Sequence, residues 1–389
     1  MSSKNKSQRA LVLQGGVALG AYEAGVFKGL YKKLYKQGEQ LFDIVAGTSI
    51  GAINAAILVS YVKENRTWEG SSDKLEEFWR EQLSSPIIEN IQNTNPQWNS
   101  LCKFNPSAAS EEAARRYYSA KHFFIWGNNT FTPLLPRLDY KFCDNFPFYE
   151  GFPNIPNIWI HGENLQLRYR IENKGKDGRK FVNFPITTRF EDKEPRLITV
   201  TVDVEEGNAV TFDSYTQESI DIKCVMASGS FPVYFDYEQI NGHKYWDGGV
   251  LSNTPLRELI QLHRDYWYKK MGSKEVPNLE VYIIDLWPTK LIKGAPTDHD
   301  GVVDRLNDLQ YIDKTEYDQK TAVVVEDYVQ LYNDVKEMVL SSIQDQNAKK
   351  QMENRFNEIL KKEAKSKKRS GDIRTYEDLI YGRFKLAKT

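Results

Sequence analysis

A serine with a glycine two residues away on either side, Gly47-Thr48-Ser49-Ile50-Gly51, stands between the apolar run Leu41-Phe42-Asp43-Ile44-Val45-Ala46 and the small-residue pattern Ala52-Ile53-Asn54-Ala55-Ala56-Ile57. The run predicts a buried strand and the pattern predicts a helix, so the serine falls on a sharp strand-to-helix turn. Such a turn strains the backbone at its centre, and glycines on both sides remove the side chains that would collide there. The hydroxyl is then presented at a helix N-terminus, where free amides favour negative charge. The pentapeptide alone is also what a small-residue turn spells by chance; the flanking strand and helix give it meaning.

The same stretch has a second reading that must be weighed. Residues 44–62 carry no charge and approach the roughly 20 residues that cross a bilayer. A spanning helix would have to include Gly47, Ser49, Gly51, Asn54 and Ser60, so a buried strand, an elbow and a core helix are predicted instead. Upstream, Ala10-Leu11-Val12-Leu13 reads as a short buried strand running into Gln14-Gly15-Gly16-Val17-Ala18-Leu19-Gly20, followed by a helix that ends near Gln37-Gly38. Strand, glycine loop, helix, strand, elbow and helix are the opening of a parallel α/β sheet, and both turns follow strand C-termini, where such sheets place ligands.

From about 68 to 157 this regularity gives way to an aromatic-rich insertion, including Trp79, Trp98, Trp126 and Phe131, which reads as a cap over an apolar groove or as packing onto the core. Segments 165–171 and 180–184, joined by the turn-rich 174–178, are predicted as a hairpin, and 197–204 as a further strand. Asn241-Gly242 is a two-residue hairpin signal that places Asp247-Gly248-Gly249 at the end of the outgoing strand. Asp-Gly-Gly by itself is an ordinary turn. Asn253-Thr254-Pro255 reads as the start of another helix, and 280–286 as a last buried strand. Gly294-Ala295-Pro296 reads as a linker; beyond about 301 the chain is helical and charged, with Val325, Val329, Tyr332, Val335 and Val339 at helix spacing, a face predicted to pack back on the core.

Composition narrows the function classes. The chain has 389 residues, 40% of them hydrophobic and 13% aromatic, enough for a sizeable core. A formal charge of -1 supplies no overall field for nucleic acid. Cys102, Cys143 and Cys224 are widely spaced and odd in number, which suggests neither a disulfide framework nor a cysteine metal site and fits a reducing compartment. No signal-peptide core follows the polar N-terminus, so a cytoplasmic location is expected, peripheral to membranes at most. The isolated histidines, His122, His161, His243, His263 and His299, make no metal cluster, and His243 reads as a hairpin surface residue. Gly20 is followed by Ala21-Tyr22, so the glycine loop is not a nucleotide phosphate loop, and no cofactor or metal is expected.

Taken in order, Gly15-Gly16-Val17-Ala18-Leu19-Gly20-Ala21-Tyr22, Gly47-Thr48-Ser49-Ile50-Gly51 and Asp247-Gly248-Gly249 resemble the motifs of the patatin-like phospholipase family, with Ala227-Ser228-Gly229-Ser230-Phe231-Pro232 also similar. The resemblance implies a three-layer α/β/α fold with a mostly parallel central sheet over 9–290, carrying the insertion 68–157 and followed by a helical extension at 301–389. It implies a Ser-Asp dyad, with Ser49 as nucleophile, Asp247 as base and the amides of Gly15, Gly16 and Val17 as oxyanion hole. Gly20, Gly47, Gly51, Gly248 and Gly249 are its motif glycines. Val17 stands where the family usually has a third glycine, and a β-branched residue resists positive φ; a loop that needs that conformation would be distorted.

The chemistry is coherent on residue grounds: a carboxylate in reach activates the serine, and glycine-loop amides receive the oxyanion. The implied partner is an acyl lipid, from which an acyl-serine intermediate forms. Acyltransfer or thioester hydrolysis on the same scaffold, or lipid binding without catalysis, remain alternatives. The basic run Lys361-Lys362-Glu363-Ala364-Lys365-Ser366-Lys367-Lys368-Arg369 is a candidate contact for an anionic membrane surface, or a solvated helix end.

Overall fold

The computed structural model describes residues 7–83, 165–216, 219–232, 235–272, 276–287, 290, 294–296, 299–311, 315–360 and 384–387. In chain order the first elements are β1 (Gln8–Leu13), α1 (Gly20–Leu34), β2 (Ile44–Thr48), α2 (Ile50–Asn65) and α3 (Ser71–Glu77), followed by a π-helical turn at Phe78–Leu83. Then come α4 (Leu165–Glu172), β3 (Arg196–Asp203), β4 (Asn208–Asp213), α5 (Ile222–Ser228), β5 (Glu238–Ile240), β6 (His243–Asp247) and α6 (Leu256–Asp265). The last are β7 (Leu279–Ile284), α7 (His299–Tyr311), α8 (Thr315–Ser342), α9 (Gln346–Leu360) and β8 (Phe384–Ala387). The fold class is the expected α/β.

The chain forms two compact units, one of Val12–Pro255 with Ile284–Pro288, the other of Met1–Leu11, Leu256–Ile283 and Thr289–Thr389. In the first, β2 lies parallel to β3 with Val45 opposite Leu197. β3 also pairs antiparallel with β4, Val200 opposite Thr211, and with β6, Thr201 opposite Asp247. β5 closes on β6 through Asn241 and Gly242, both at positive φ, the backbone a two-residue hairpin demands and the pair predicts. Every residue of β2 and β3 is buried, as befits strands covered on both faces.

The apolar stretch 44–62 is divided as predicted, into β2, a turn residue and α2. From Ile50 to Ser60 every residue of α2 is buried and all but Asn54 are apolar or small, so the helix is a core element rather than an amphipathic one. Among the described residues no helix is long and apolar enough to cross a membrane. Against α2 and β2, the rings of Phe27, Phe42 and Trp68 form a buried aromatic cluster with centroids 5.9–6.4 Å apart.

One feature corrects the sequence reading. Segment 165–171 is helical, within α4, and 180–184 is not a strand; only an isolated bridge joins Lys174 to Lys180 where a hairpin is predicted. Leu167 and Ile171 are buried while Tyr169 between them is exposed, so burial follows helix spacing instead of the alternation that Leu165, Leu167, Tyr169 and Ile171 suggest. In the second unit, α8 touches α6 and α9, with Tyr332 edge-on to Phe356 at 5.8 Å. On the face that the helix spacing marks, Tyr332 and Val339 are half-buried and Val335 is exposed, while Tyr328, Leu331 and Met338 are exposed off that face. The insertion beyond Leu83, Cys102, Cys143 and the basic run 361–369 lie outside the described residues; Cys224 is buried.

A bidentate ion pair ties the start of β3 to the end of β4. Arg196 donates Nε to Asp213 Oδ1 at 2.8 Å and Nη2 to Oδ2 at 2.5 Å, both side chains buried, with the Tyr215 ring 5.3 Å from the guanidinium. Removing one member strands a buried charge. Asp213→Ala is therefore expected to lower unfolding free energy by about 3 to 5 kcal/mol. The double change Arg196→Met with Asp213→Leu should recover most of the loss, both read by urea denaturation.

Candidate active site

β2 ends at Thr48 and α2 begins at Ile50, so Ser49 alone makes the turn, with φ 56° and ψ −124°. Positive φ in a serine costs on the order of 1–3 kcal/mol and persists only where the surroundings over-determine it. Here they do. The Ser49 amide donates to Ser228 Oγ at 2.9 Å, and that hydroxyl donates to the Val200 carbonyl at 2.6 Å. The Ser49 carbonyl accepts from the Ala52 and Ile53 amides at 3.0 and 3.3 Å. A Cβ on Gly47 would stand 2.3 Å from the Gly51 carbonyl oxygen, and one on Gly51 would stand 2.5 Å from that of Leu13. The two flanking glycines are thus required by backbone approach, as the spacing implies.

Asp247 closes β6, its amide donating to the Ser230 carbonyl at 3.0 Å. Its carboxylate accepts from the Gly249 amide at 2.7 Å and lies close enough to the Ser49 side chain for that group to lower its pKa. Only 2% of the side chain's residue is exposed. Burial pushes the carboxyl up from its ordinary 3.8 to about 7, and the hydrogen bonds from Ser49 and Gly249 offset only part of this. A group poised near neutrality can take and return a proton at little cost.

The glycine loop lies against both residues. A Cβ on Gly15 would meet Ser49 Cβ at 3.0 Å. Asn253 clamps Gly15 twice: its carbonyl accepts the Gly15 amide at 3.3 Å, and its Nδ2 donates to the Gly15 carbonyl at 3.2 Å. Trp287 Nε1 donates to the same carbonyl at 2.9 Å. Upstream, Gln14 donates Nε2 to Thr254 Oγ1 at 2.7 Å and to Asp285 Oδ1 at 3.1 Å, and its Oε1 accepts the Leu286 amide at 2.7 Å. Downstream, Asn54 of α2 donates Nδ2 to the Gly20 carbonyl at 3.1 Å and to Glu23 at 2.9 Å, while accepting from Trp79 Nε1 at 3.0 Å. Burial holds the Glu23 carboxyl well above the usual carboxylate range, and the hydrogen bond from Asn54 offsets part of this.

The Gly15 amide is occupied, so of the three amides considered for anion binding those of Gly16 and Val17 are without a hydrogen-bond partner among the described residues. Val17 begins a single 3-10 turn, Val17–Leu19, at φ 48°. The loop therefore does need positive φ at the position where a glycine is usual, and it adopts it with a β-branched residue.

Ser49, Asp247, Gly15, Gly16, Val17, Gly248 and Gly249 are brought together. Asn253, Trp287, Gln14 and Ser228 hold them, and sequence reasoning did not single them out for this. Asn253 and Thr254 were read as a helix start, although their place just after Asp247-Gly248-Gly249 was a usable signal. His243 is at the far end of β6, Nδ1 3.0 Å from Asp203 Oδ2, as its hairpin position suggests. His263 Nε2 faces Gln8 Oε1 at 3.0 Å in the other unit, and His122 and His161 lie outside the described residues.

Fold and site together define an α/β protein with a serine on a strained strand-to-helix elbow near a buried carboxylate. Residues 11–260, well over half of the chain, match the patatin-like phospholipase family, and the chain belongs to it. Among solved structures the chain is similar to VipD from Legionella pneumophila, with 15% identity and a TM-score of 0.34 over 85% of this chain and 55% of that one. It thus spans about half the length of VipD. No curated protein matches it in sequence.

Two outcomes follow from this geometry. Val17→Gly releases the positive-φ strain at the cost of glycine's extra chain entropy, and is expected to stabilise the fold by about 1 kcal/mol, seen as a higher urea midpoint. Because the Asp247 carboxyl is raised in the folded state, its contribution to stability is full below about 4 and is lost as pH rises through about 7. Asp247→Asn should remove that decline, so its stability advantage over the parent grows across this window in thermal melts.

Proposed function

We propose that the protein is a phospholipase A-type hydrolase in which Ser49 and Asp247 act as a dyad. The observation that supports this most is the Ser49 side chain beside a buried carboxylate whose pKa burial raises to about 7. Ser49 Oγ attacks the ester carbonyl while Asp247 takes its proton. The carbonyl oxygen becomes an oxyanion, received by the amides of Gly16 and Val17, whose fixed orientation avoids reorganisation during the step. As the intermediate collapses, the C–O bond to the alcohol breaks and the alkoxide takes the proton from Asp247. The acyl group remains as an ester of Ser49. Water then attacks this ester, giving its proton to Asp247; collapse frees the fatty acid and returns the proton to Ser49.

No histidine is needed, because the base sits where serine alone contacts it and its raised affinity for protons supplies what an imidazole supplies elsewhere.

Purified protein is expected to hydrolyse a short-chain nitrophenyl ester and to release fatty acid from phospholipid. Ser49→Ala and Asp247→Asn should each reduce turnover by at least about a thousandfold with the fold intact by circular dichroism, in the range seen when a nucleophile or its base is removed. Full turnover in either variant would contradict the dyad. Transfer of the acyl group to an alcohol or to a thiol carrier in preference to water would reassign the reaction to acyl transfer.

A further inference from the structure

The loop that carries Val17 has a cost with no return inside the protein. A valine at φ 48° is strained, yet its side chain is 50% exposed, so little burial offsets the strain. Around it, Leu19 and Tyr22 on the same side of the site, and Val250 and Leu251 just after Asp247, are also exposed, each by 39–60%. The two segments meet at one atom. A Cβ on Gly15 would stand 2.3 Å from Asn253 Oδ1, and one on Gly249 would stand 3.1 Å from it. The five exposed apolar side chains thus belong to the two segments that carry Gly15 and Gly249, which converge on Asn253.

Charge says what such a rim meets. From Gln14 to Tyr22 there is no ionisable side chain but the tyrosine hydroxyl, and from Gly248 to Thr254 there is none. An anionic surface attracts a rim of lysine and arginine, at about 1 kcal/mol each, and this rim offers none. Uncharged aliphatic groups with one tyrosine, whose ring has an apolar body and a polar tip, match the boundary between headgroups and acyl chains.

We infer that Val17, Leu19, Tyr22, Val250 and Leu251 form a docking rim that seats the protein on a zwitterionic lipid surface and holds the mouth over Ser49 against it. The inference rests on the hydrolase reading for the identity of the ligand, but its binding step is independent of catalysis. An ester drawn from such a surface reaches Ser49 between apolar walls without crossing water, so the hydrophobic cost of extracting an acyl chain is reduced.

The test uses the full chain carrying Ser49→Ala, so that lipid is not consumed, and flotation with phosphatidylcholine vesicles. Binding is expected, and unchanged between low and high salt. Tyr22→Ser with Leu251→Ser should weaken it at least about tenfold, by the transfer cost of two apolar side chains. Leu251→Glu, which alters an exposed position and puts a charge into the rim, should weaken it comparably; thermal melting of each variant excludes loss of fold. In the active protein the same changes should leave short-chain ester turnover within about twofold while slowing release of fatty acid from vesicles about tenfold. Vesicle binding that is absent in the Ser49→Ala protein, unaffected by both rim variants, or dependent on anionic lipid and abolished by salt would overturn the rim. Unchanged binding with slower turnover of a long-chain soluble ester would make these residues an acyl-chain wall instead. Absence of ester turnover in every form would count against the dyad and leave the binding result standing.

Discussion

The hydroxyl of Ser228 is the point on which the site depends. It accepts the amide of Ser49 and donates to the carbonyl of Val200, so one side chain joins the strained elbow to the centre of the sheet. A serine at φ 56° would otherwise relax by turning its amide elsewhere, and the hydroxyl would leave Asp247. Because Val200 is on β3 and Asp247 pairs with Thr201 on the same strand, the elbow and the carboxylate share one scaffold. Their separation is then set by strand register, which packing holds to a fraction of an ångström.

Burial of Asp247 works in two directions. Removing the carboxylate from water makes it a stronger proton acceptor, which suits a base that must take a proton from a weakly acidic alcohol. The same burial raises the free energy of the ionised fold, which the Gly249 amide and the nearby Ser49 side chain offset only in part. More donors would steady the fold and weaken the base. Strain at Val17 follows the same logic: the Gly16 and Val17 amides are left without partners because the backbone there is held open, by Asn253 and Trp287 on one side and by Asn54 on the other.

Much of this was legible in the sequence, for reasons that are local. The elbow, the hairpin at Asn241-Gly242 and the strand ending at Asp247 all rest on backbone geometry that few residue types tolerate, so composition at those points carries the structure. Segment 165–171 was not legible, because Leu, Leu, Tyr and Ile at every second place also supply Leu167 and Ile171 at helix spacing. Only the burial of those two decided it. The clamps by Asn253, Gln14 and Trp287 join residues more than two hundred positions apart, and no local pattern marks them. The motif positions and their family resemblance pointed to the residues of the site; the hydrogen bonds that hold them came from the fold.

The central claim is that Asp247 takes the proton of Ser49. Labelling by a fluorophosphonate probe, located by peptide mass spectrometry and timed across pH, tests it most directly. The account predicts modification at Ser49 alone, at a rate that climbs with pH to a plateau with an apparent pKa of about 7, and loss of that labelling in Asp247→Asn. Labelling of Ser49 in Asp247→Asn at the parent rate, or reaction at another residue, would contradict it.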